Sequence, residues 1–195
     1  MSEKNRARIF VVCGGSGTGK SAWVKQQIAK AARCIVWDIT GEYARHGFEP
    51  VSSAARLIES LKQSAARVAY VPPSLGHFDF FCRAAFAWGR CTVVVEELAD
   101  VTTPGRAPPG WGVVVRRGRH RGLTVYGITQ RPAESDKTVI GNATLIHCCK
   151  LKRDPDRAYM AREMGCDKSL LDALKPLEWI EADEHGRIRR GKMAF

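Results

Sequence analysis

The sequence lacks several features that would assign the chain to familiar classes of protein. No apolar run approaches the ~20 residues of a membrane-spanning helix, and the apolar run near the start is too short for a secretion signal. The seven cysteines include no C-x-x-C pair, and the five histidines are dispersed without metal-ligand spacing. We therefore expect a cytoplasmic protein whose reduced thiols serve as small apolar residues.

The chain is also poor in acidic residues relative to basic ones. Its 20 Asp and Glu face 31 Lys and Arg, so the formal net charge is +11, which favours a polyanionic partner and nucleic acid before a membrane surface. No repeat, low-complexity segment or long linker divides the sequence. Because 45% of the 195 residues are apolar, enough for one substantial core, we predict a single domain over residues 1–195.

Short β-rich runs alternate with helix-like segments along the chain. This alternation predicts an α/β fold with a mainly parallel sheet and helices on both of its faces. The predicted strands cover residues 8–13, 34–38, 68–71, 91–97, 123–129, 143–152 and 177–183. The predicted helices cover residues 20–33, 52–67 (opened by a serine cap), 78–89, 111–122 and 154–165, and a Pro/Gly-rich loop covers residues 100–110.

Residues 14–21, GGSGTGKS, match the phosphate-binding pattern G-x-x-x-x-G-K-[ST]. An apolar strand leads in and a helix leads out, which is the context that this pattern requires. The backbone N–H groups would cradle the phosphates of ATP, Lys20 would reach the β and γ phosphates, and the Ser21 hydroxyl would bind Mg²⁺. The predicted nucleotide-binding residues are Gly14, Gly15, Ser16, Gly17, Thr18, Gly19, Lys20, Ser21 and Ala22.

Residues 92–98, TVVVEEL, form an apolar strand that ends in two acids. In nucleotide hydrolases such a strand normally ends with Asp and then Glu. By register, Glu96 would take the Mg²⁺ role and Glu97 would polarise the attacking water. Glutamate is one methylene longer than aspartate, so Glu96 changes the reach of the metal ligand.

The strand over residues 123–129 delivers Gln130, Arg131 and Pro132 at its end. In ATPases with a catalytic glutamate, an extra strand lies between the phosphate-loop strand and the acidic strand, and its carboxyl end points at the γ-phosphate. Gln130 would then sense the phosphate or position the water, while Pro132 fixes the turn. Spacing alone leaves a plain surface loop as the alternative.

Two further segments resemble a known family. Residues 128–144, ITQRPAESDKTVIGNAT, resemble the Thr/Ser-Gln-Arg-Pro segment of the FtsK–HerA superfamily of DNA-pumping ATPases, and residues 36–48 resemble its Asp-x-x-Gly-Glu-Tyr element. The resemblance runs in order from about residue 8 to 150 and departs from the family at Glu96. It implies a RecA-like core, a homo-oligomeric ring (hexamer or pentamer) and ATP-driven translocation of DNA.

The arginines near the predicted strand over residues 123–129 have two interpretations. In a ring, one subunit's arginine commonly reaches the neighbour's γ-phosphate. Arg119 is our candidate for this catalytic role; the other candidates are Arg116, Arg117, Arg121 and Arg131. The alternative is a solvated basic face or contact with a nucleic-acid backbone, and Arg106 in the Pro/Gly-rich loop has the same two readings.

The size of the chain separates branches of this family. A bare core resembles the genome-packaging ATPases of membrane-containing icosahedral phages and viruses, so we expect a motor that packages double-stranded DNA, without sequence preference, into a capsid. Its partners would be DNA, its own copies, and capsid or viral membrane proteins, in the host cytoplasm or at a packaging vertex. A HerA-like or filamentous-phage-type assembly or export ATPase is the alternative, and a small-molecule kinase fits less well because kinases need no paired-acid strand.

Overall fold

A computed structural model describes residues 8–194 of the chain, so residues 1–7 and 195 of the expected 1–195 domain lie outside the described residues. The described strands are β1 (Arg8–Cys13), β2 (Arg33–Trp37), β3 (Glu49–Val51), β4 (Ala66–Tyr70), β5 (Thr92–Val95), β6 (Thr124–Thr129), β7 (Leu145–Cys149), β8 (Glu178–Asp183) and β9 (Ile188–Lys192). The described helices are α1 (Lys20–Gln27), α2 (Ala54–Leu61), α3 (Phe78–Trp88), α4 (Leu98–Val101), α5 (Pro109–Arg117), α6 (Lys137–Gly141), α7 (Asp154–Met164) and α8 (Lys168–Asp172).

The strands form one sheet in the order β3-β4-β2-β5-β6-β1-β7-β8-β9. Every pair from β3 to β7 is parallel, and β8 and β9 are added antiparallel at one side. Helices cover both faces, so the predicted α/β class with a mainly parallel sheet is confirmed.

Alternating side chains of the central strands enter two separate cores. Val93 and Val95 of β5 pack into the larger core, which also holds α3, α5 and α7, whereas Val94 packs into the smaller core with Trp23 and Val24 of α1. Successive side chains of a strand point to opposite faces, so a strand buried on both sides must be apolar throughout. This explains the unbroken β-branched run of β5.

Strand β6 lies between β1 and β5, as the sequence predicted for an ATPase with a catalytic glutamate. Cys13 pairs with Thr129, and Val95 pairs with Gly127, so β6 extends two residues beyond the end of β5. The carboxyl ends of the three strands therefore meet at one edge of the sheet, which carries the phosphate loop, the acids and Gln130.

The predicted boundaries hold for some elements and differ for others. Helix α3 ends within one residue of its prediction, and Ser53 caps α2 by accepting a hydrogen bond from the Arg56 N–H. Helix α1 ends at Gln27, well before residue 33, because β2 begins at Arg33 and the chain must turn between them. The predicted helix over residues 111–122 begins two residues earlier and gives way to a 3-10 turn at residue 118.

Two strands had no signal in the sequence. Strand β3 has three residues including Pro50, which the sheet tolerates because β3 is an edge strand. Strand β9, at the opposite edge, reads IRRGK and is mostly exposed, so it lacks the apolar alternation of a buried strand. Residues 188–192 form this strand by pairing antiparallel with β8.

The cysteines behave as small apolar side chains. Six of the seven are buried, Cys166 is half-buried, and all seven are free thiols. Burial raises the pKa of the Cys149 thiol, which lies beside the phosphate loop, to about 12. The Cys149 thiol is therefore protonated at neutral pH, and the six buried cysteines pack as part of the core.

Candidate functional site

The phosphate loop is fastened to the strands on both sides of β1. The Gly14 N–H donates to the Thr129 carbonyl of β6 at 3.3 Å, and the Gly15 N–H donates to the Lys150 carbonyl, just beyond β7, at 2.8 Å. At Gly14 the backbone has φ 155°, and a Cβ there would lie 2.7 Å from Cys149 Cβ. Only glycine allows this close approach, which explains the first glycine of the pattern.

Lys20 is held in place by the loop itself. Its side chain is buried, and Nζ donates to the Gly15 carbonyl at 2.8 Å, beside the Thr18 hydroxyl, which donates to the same carbonyl at 2.7 Å. Burial lowers the pKa of Lys20, and the negative charges of Glu97 and Glu96 oppose that shift. The ammonium thus lies among carboxylates and loop carbonyls at the end of β1, where the sequence places the β and γ phosphates.

Helix α1 begins at Lys20, and the positive end of its dipole lies at the phosphate loop. Among the described side chains none caps its first turn, and that turn carries no acidic residue. The first N–H groups of a helix lack partners within the helix, and the helix dipole adds partial positive charge there. The loop and helix together suit a phosphate group.

The two acids after β5 point to different partners. Glu96 is half-buried, its N–H donates to the Trp37 carbonyl at 3.2 Å, and its Oε1 accepts a 2.7 Å hydrogen bond from the Tyr43 hydroxyl. Burial raises the pKa of Glu96, while the bond from Tyr43 and the charge of Lys25 lower it. Glu96 therefore faces the β2 side of the site.

Glu97 faces the β6 side. Its Oε1 accepts from the Thr129 hydroxyl at 2.9 Å and from the Gln130 N–H at 3.1 Å. The residue has φ 49°, a left-handed conformation that is uncommon for a side chain other than glycine, asparagine or aspartate. Such a strained backbone often marks a functional site, and here it turns the second acid away from the first.

The turn after β6 is organised by Thr129. Its hydroxyl contacts Glu97, lies 2.9 Å from Ser135 Oγ, and accepts the Arg131 N–H at 3.0 Å. Pro132 is buried and starts a 3-10 turn, while the Gln130 side chain is exposed at the site edge. Gln130 lies at the sheet edge where its position after the predicted strand puts it, whereas no role was predicted for Thr129, although threonine opens the Thr-Gln-Arg-Pro segment.

The element after β2 supplies the partner of Glu96. Asp38 is fully buried and accepts the N–H groups of Glu42 at 3.1 Å and Tyr43 at 3.0 Å. Lys25 lies 3.5 Å from Glu42 and 5.0 Å from the centre of the Tyr43 ring. The Asp-x-x-Gly-Glu-Tyr element is thus a turn that carries Tyr43 to Glu96. In the sequence this element indicates only the family resemblance, and no role was predicted for Tyr43.

The Asp-Lys-Thr-Val stretch, residues 136–139, connects the turn after β6 to the Pro/Gly-rich loop. Asp136 accepts from the Thr138 N–H at 2.9 Å, which caps α6, and from Trp111 Nε1 at 3.0 Å. The Asp136 N–H donates to the Thr102 hydroxyl at 3.1 Å. Beyond Thr102 the loop closes in a tight turn in which Thr103 and Arg106 exchange backbone hydrogen bonds, and the Arg106 side chain is exposed.

The arginine candidates lie at opposite ends of the parallel strands. Arg131 lies at the nucleotide edge and pairs with Glu134 at 3.2 Å. The other four lie at the end of α5 and in the 3-10 turn before β6, where the Arg90 N–H donates to the Arg121 carbonyl at 2.6 Å. A six-residue strand is about 20 Å long, so Arg119 is too far to reach the phosphate loop of its own chain. These four are Arg116, Arg117, Arg119 and Arg121.

Hard oxygen donors at the site suit Mg²⁺. Ser21 occupies the second position of α1, and Tyr43 bonds only one oxygen of Glu96, so the Ser21 hydroxyl and Glu96 Oε2 are the atoms that could hold Mg²⁺. In residues 8–194 no three His, Cys, Asp or Glu side chains form a metal-binding group. Mg²⁺ bound with a nucleotide needs no such cage, because one or two protein oxygens, water and phosphates complete its shell.

Across residues 8–194, no helix combines the length and the apolar character needed to cross a bilayer. The longest helices, α3 and α7, have 11 residues each.

The chain is similar to known proteins in both sequence and structure. No family model matches the chain. The chain is 35% identical over 144 residues to Protein P9 of Pseudoalteromonas phage PM2, a match that covers 71% of this chain and 66% of the relative's length.

Two solved structures share the fold. The genome packaging NTPase B204 of Sulfolobus turreted icosahedral virus 2, in complex with ATP-gammaS, has a TM-score of 0.83 and 17% identity, with full coverage of both chains. The cytoplasmic domain of the type VII secretion ATPase EccC of Thermomonospora curvata has a TM-score of 0.62 and 12% identity, covering 95% of this chain and 25% of that one. With its phosphate loop, acid pair and Thr-Gln-Arg-Pro turn around one sheet edge, the chain belongs to the FtsK–HerA superfamily of P-loop ATPases, where it resembles the small genome-packaging ATPases of membrane-containing icosahedral phages and viruses.

Proposed function

We propose that the protein hydrolyses ATP with Mg²⁺ and uses the energy to move double-stranded DNA into a viral capsid. The observation that carries the proposal is the contact of Glu97 with Thr129 and the Gln130 N–H, at the sheet edge that also holds Lys20. A general base, a phosphate-binding cation and a polar sensor are the groups that phosphoryl transfer to water requires.

Each residue has a distinct part in this reaction. Residues 14–22 bind the phosphates, and Lys20 leaves the Gly15 carbonyl to contact the β and γ phosphates. Glu97 accepts a hydrogen bond from the attacking water and orients it, while the Gln130 side chain contacts the γ-phosphate. Mg²⁺, held by Ser21 and Glu96, would neutralise charge on the β and γ phosphates.

A short path connects the hydrolysis site to a cationic loop. Only α4 separates Glu97 from Thr102, which binds Asp136 and begins the turn that exposes Arg106. A change at Glu97 on hydrolysis can therefore move this turn through one helical segment. DNA phosphates are the expected partner, because contact with them needs cations but no base-specific geometry.

The position of the arginines supports assembly into a ring. Because Arg119 lies at the sheet edge remote from its own phosphate loop, it can contact a γ-phosphate only in a neighbouring copy. We propose Arg119 for this role, with Arg116, Arg117, Arg121 and the nucleotide-edge Arg131 as the other candidates. The ring would be a hexamer or a pentamer located at a packaging vertex, in contact with capsid or viral membrane proteins.

Export or assembly of a macromolecule is the second candidate function. It is favoured by the shared fold of the secretion ATPase EccC, whereas packaging is favoured by the full-length likeness to B204. The match covers 66% of the length of Protein P9, so this similarity does not assign the activity of Protein P9 to this chain, and that activity is part of what we propose.

The test is the rate of phosphate release with and without long duplex DNA, for the wild type and for Lys20→Ala. We expect DNA-stimulated hydrolysis in the wild type and none in the variant, because the phosphates lose their cation. Full activity in Lys20→Ala would refute the phosphate-loop assignment. Hydrolysis that is indifferent to DNA would favour the export function.

A further inference from the structure

The C-terminal hairpin of β8 and β9 packs directly against the phosphate loop. Met193, one residue beyond β9, is buried, and its N–H donates to the Leu177 carbonyl at 2.9 Å. A Cβ built on Gly19 would lie 2.5 Å from Met193 Sδ and 3.6 Å from Leu177 Cδ2. Two apolar side chains from the C-terminal part of the chain therefore lie against Gly19, the second glycine of the phosphate-binding pattern.

A cavity of about 280 Å³ opens at this contact. Residues 17–22 line one side of it, and Leu177 lines the other. The polar side chains in its wall, Thr18, Lys20 and Ser21, all belong to the phosphate loop. The cavity is thus polar where the loop meets phosphate and apolar at the end formed by Leu177, with Met193 behind.

The order of the strands gives the cavity its place relative to the phosphates. Strands β6 and β5, with Gln130 and Glu97 at their ends, lie on one side of β1, and β7 and β8 lie on the other. The γ-phosphate must face Glu97 and Gln130 if these residues act on it. The remainder of a linear nucleotide then extends toward β8, and Leu177 is the residue immediately before that strand.

Leu177 has an unusual backbone conformation. Its φ is 68°, a left-handed value that leucine rarely adopts because Cβ crowds the following carbonyl. Hydrogen bonds on both sides hold it there, since its carbonyl accepts from Met193 and the Glu178 N–H donates to the Lys175 carbonyl at 3.1 Å. A bulky residue kept in this conformation, half-buried beside a binding loop, is a sign of functional constraint.

We propose that Leu177, backed by Met193, is the base-binding surface for the nucleotide whose phosphates lie on residues 14–22. The inference rests on the proposed nucleotide function and adds the base subsite. An apolar side chain contacts the face of the base, and among residues 8–194 no polar side chain outside the phosphate loop lines the cavity to meet the edges of the base. Such a surface discriminates weakly between purines, so ATP and GTP bind with affinities within about fivefold of each other.

The test compares ATP with a ligand that has phosphates but no base. Binding of ATP, GTP and inorganic tripolyphosphate, each with Mg²⁺, is measured by calorimetry for the wild type and for Leu177→Gly. Glycine removes the side chain while accepting the left-handed backbone, so the fold is retained, and Leu177→Asn provides a second variant that tolerates this conformation. Leu170→Ala, a half-buried leucine on α8, is the control.

We expect Leu177→Gly and Leu177→Asn to weaken ATP and GTP about tenfold and to leave tripolyphosphate unchanged, while Leu170→Ala changes none of the three. Equal losses for ATP and tripolyphosphate, or ATP affinity that is unchanged in both Leu177 variants, would overturn the base subsite alone. A wild type that binds neither ATP nor tripolyphosphate would overturn the proposed nucleotide function and this inference with it.

Discussion

The Tyr43 hydroxyl donates a 2.7 Å hydrogen bond to Glu96 Oε1, and this bond joins the turn after β2 to the acid at the end of β5. Burial and the neighbouring Glu96 charge raise the pKa of Tyr43, so its hydroxyl stays protonated and acts as a donor. Asp38 orients Tyr43 through the backbone of that turn. The glutamate that replaces the usual aspartate is therefore positioned by a partner from the turn after β2.

Replacing the Tyr43 hydroxyl tests whether it positions Glu96, the proposed ligand of Mg²⁺. We expect Tyr43→Phe to lower Mg²⁺-dependent hydrolysis about tenfold, as for loss of one hydrogen bond to a charged group. Burial already raises the pKa of Glu96 and the Tyr43 bond lowers it, so the variant raises this pKa further. Because the ionised carboxylate is needed, the acid limb of the pH–rate profile moves to higher pH. Tyr159→Phe on α7 is the matched control, and an unshifted limb in Tyr43→Phe would remove the positioning role.

The different surroundings of the two acids predict different phenotypes. Glu97→Gln keeps an oxygen that accepts from Thr129, so we expect normal Mg²⁺-ATP binding with hydrolysis about 10²–10⁴-fold slower, the usual cost of losing a general base. Glu96→Gln should instead weaken the part of ATP binding that depends on Mg²⁺. Nucleotide titrations with and without Mg²⁺, alongside single-turnover rates, distinguish the two. The reverse pattern would mean that Glu96 is the base.

Gln130 contributes its backbone N–H to Glu97 and leaves its side chain exposed at the site edge. We expect Gln130→Ala to keep the backbone contact and ATP affinity within a few-fold, since the loop and Mg²⁺ supply most of the binding, but to lose DNA-stimulated turnover. The measurement is ATPase rate with and without duplex DNA, beside the exposed control Lys137→Ala on α6. Undiminished stimulation in Gln130→Ala would mean that the Thr-Gln-Arg-Pro segment is only a turn.

The basic excess predicts how the protein binds DNA. We expect affinity that is indifferent to sequence and that falls steeply between 50 and 200 mM salt, on the order of 10²-fold or more for a surface that neutralises several phosphates. Fluorescence anisotropy with two unrelated duplexes across a salt series measures both properties. Arg106→Ala should reduce the slope against log salt by about one if its exposed side chain contacts a phosphate. Strong preference for one duplex, or binding that ignores salt, would contradict a DNA motor.

Local patterns in the sequence were enough to predict the fold class and the end of the parallel strands at which the candidate site lies. The phosphate-loop pattern needs only neighbouring residues, and the β-branched run before Glu96 is what a strand buried on both faces requires. Helix ends were harder, as α1 shows, because the chain stops the helix at Gln27 where it must turn into β2, and the run of helix-forming residues does not mark that point. Strand β9 gave no signal because its side chains are exposed and charged.

The sequence by itself determined which chemical groups the protein carries and the order in which they occur along parallel strands. Tertiary structure alone decided which groups meet. Tyr43 reaches Glu96 across 53 residues, Met193 reaches Gly19 from the far end of the chain, and Arg119 lies at the edge away from its own Lys20. The physical reason is that periodicity and turn chemistry act between covalent neighbours, whereas these contacts depend on strand order and on the direction of each crossover, which local propensities do not specify.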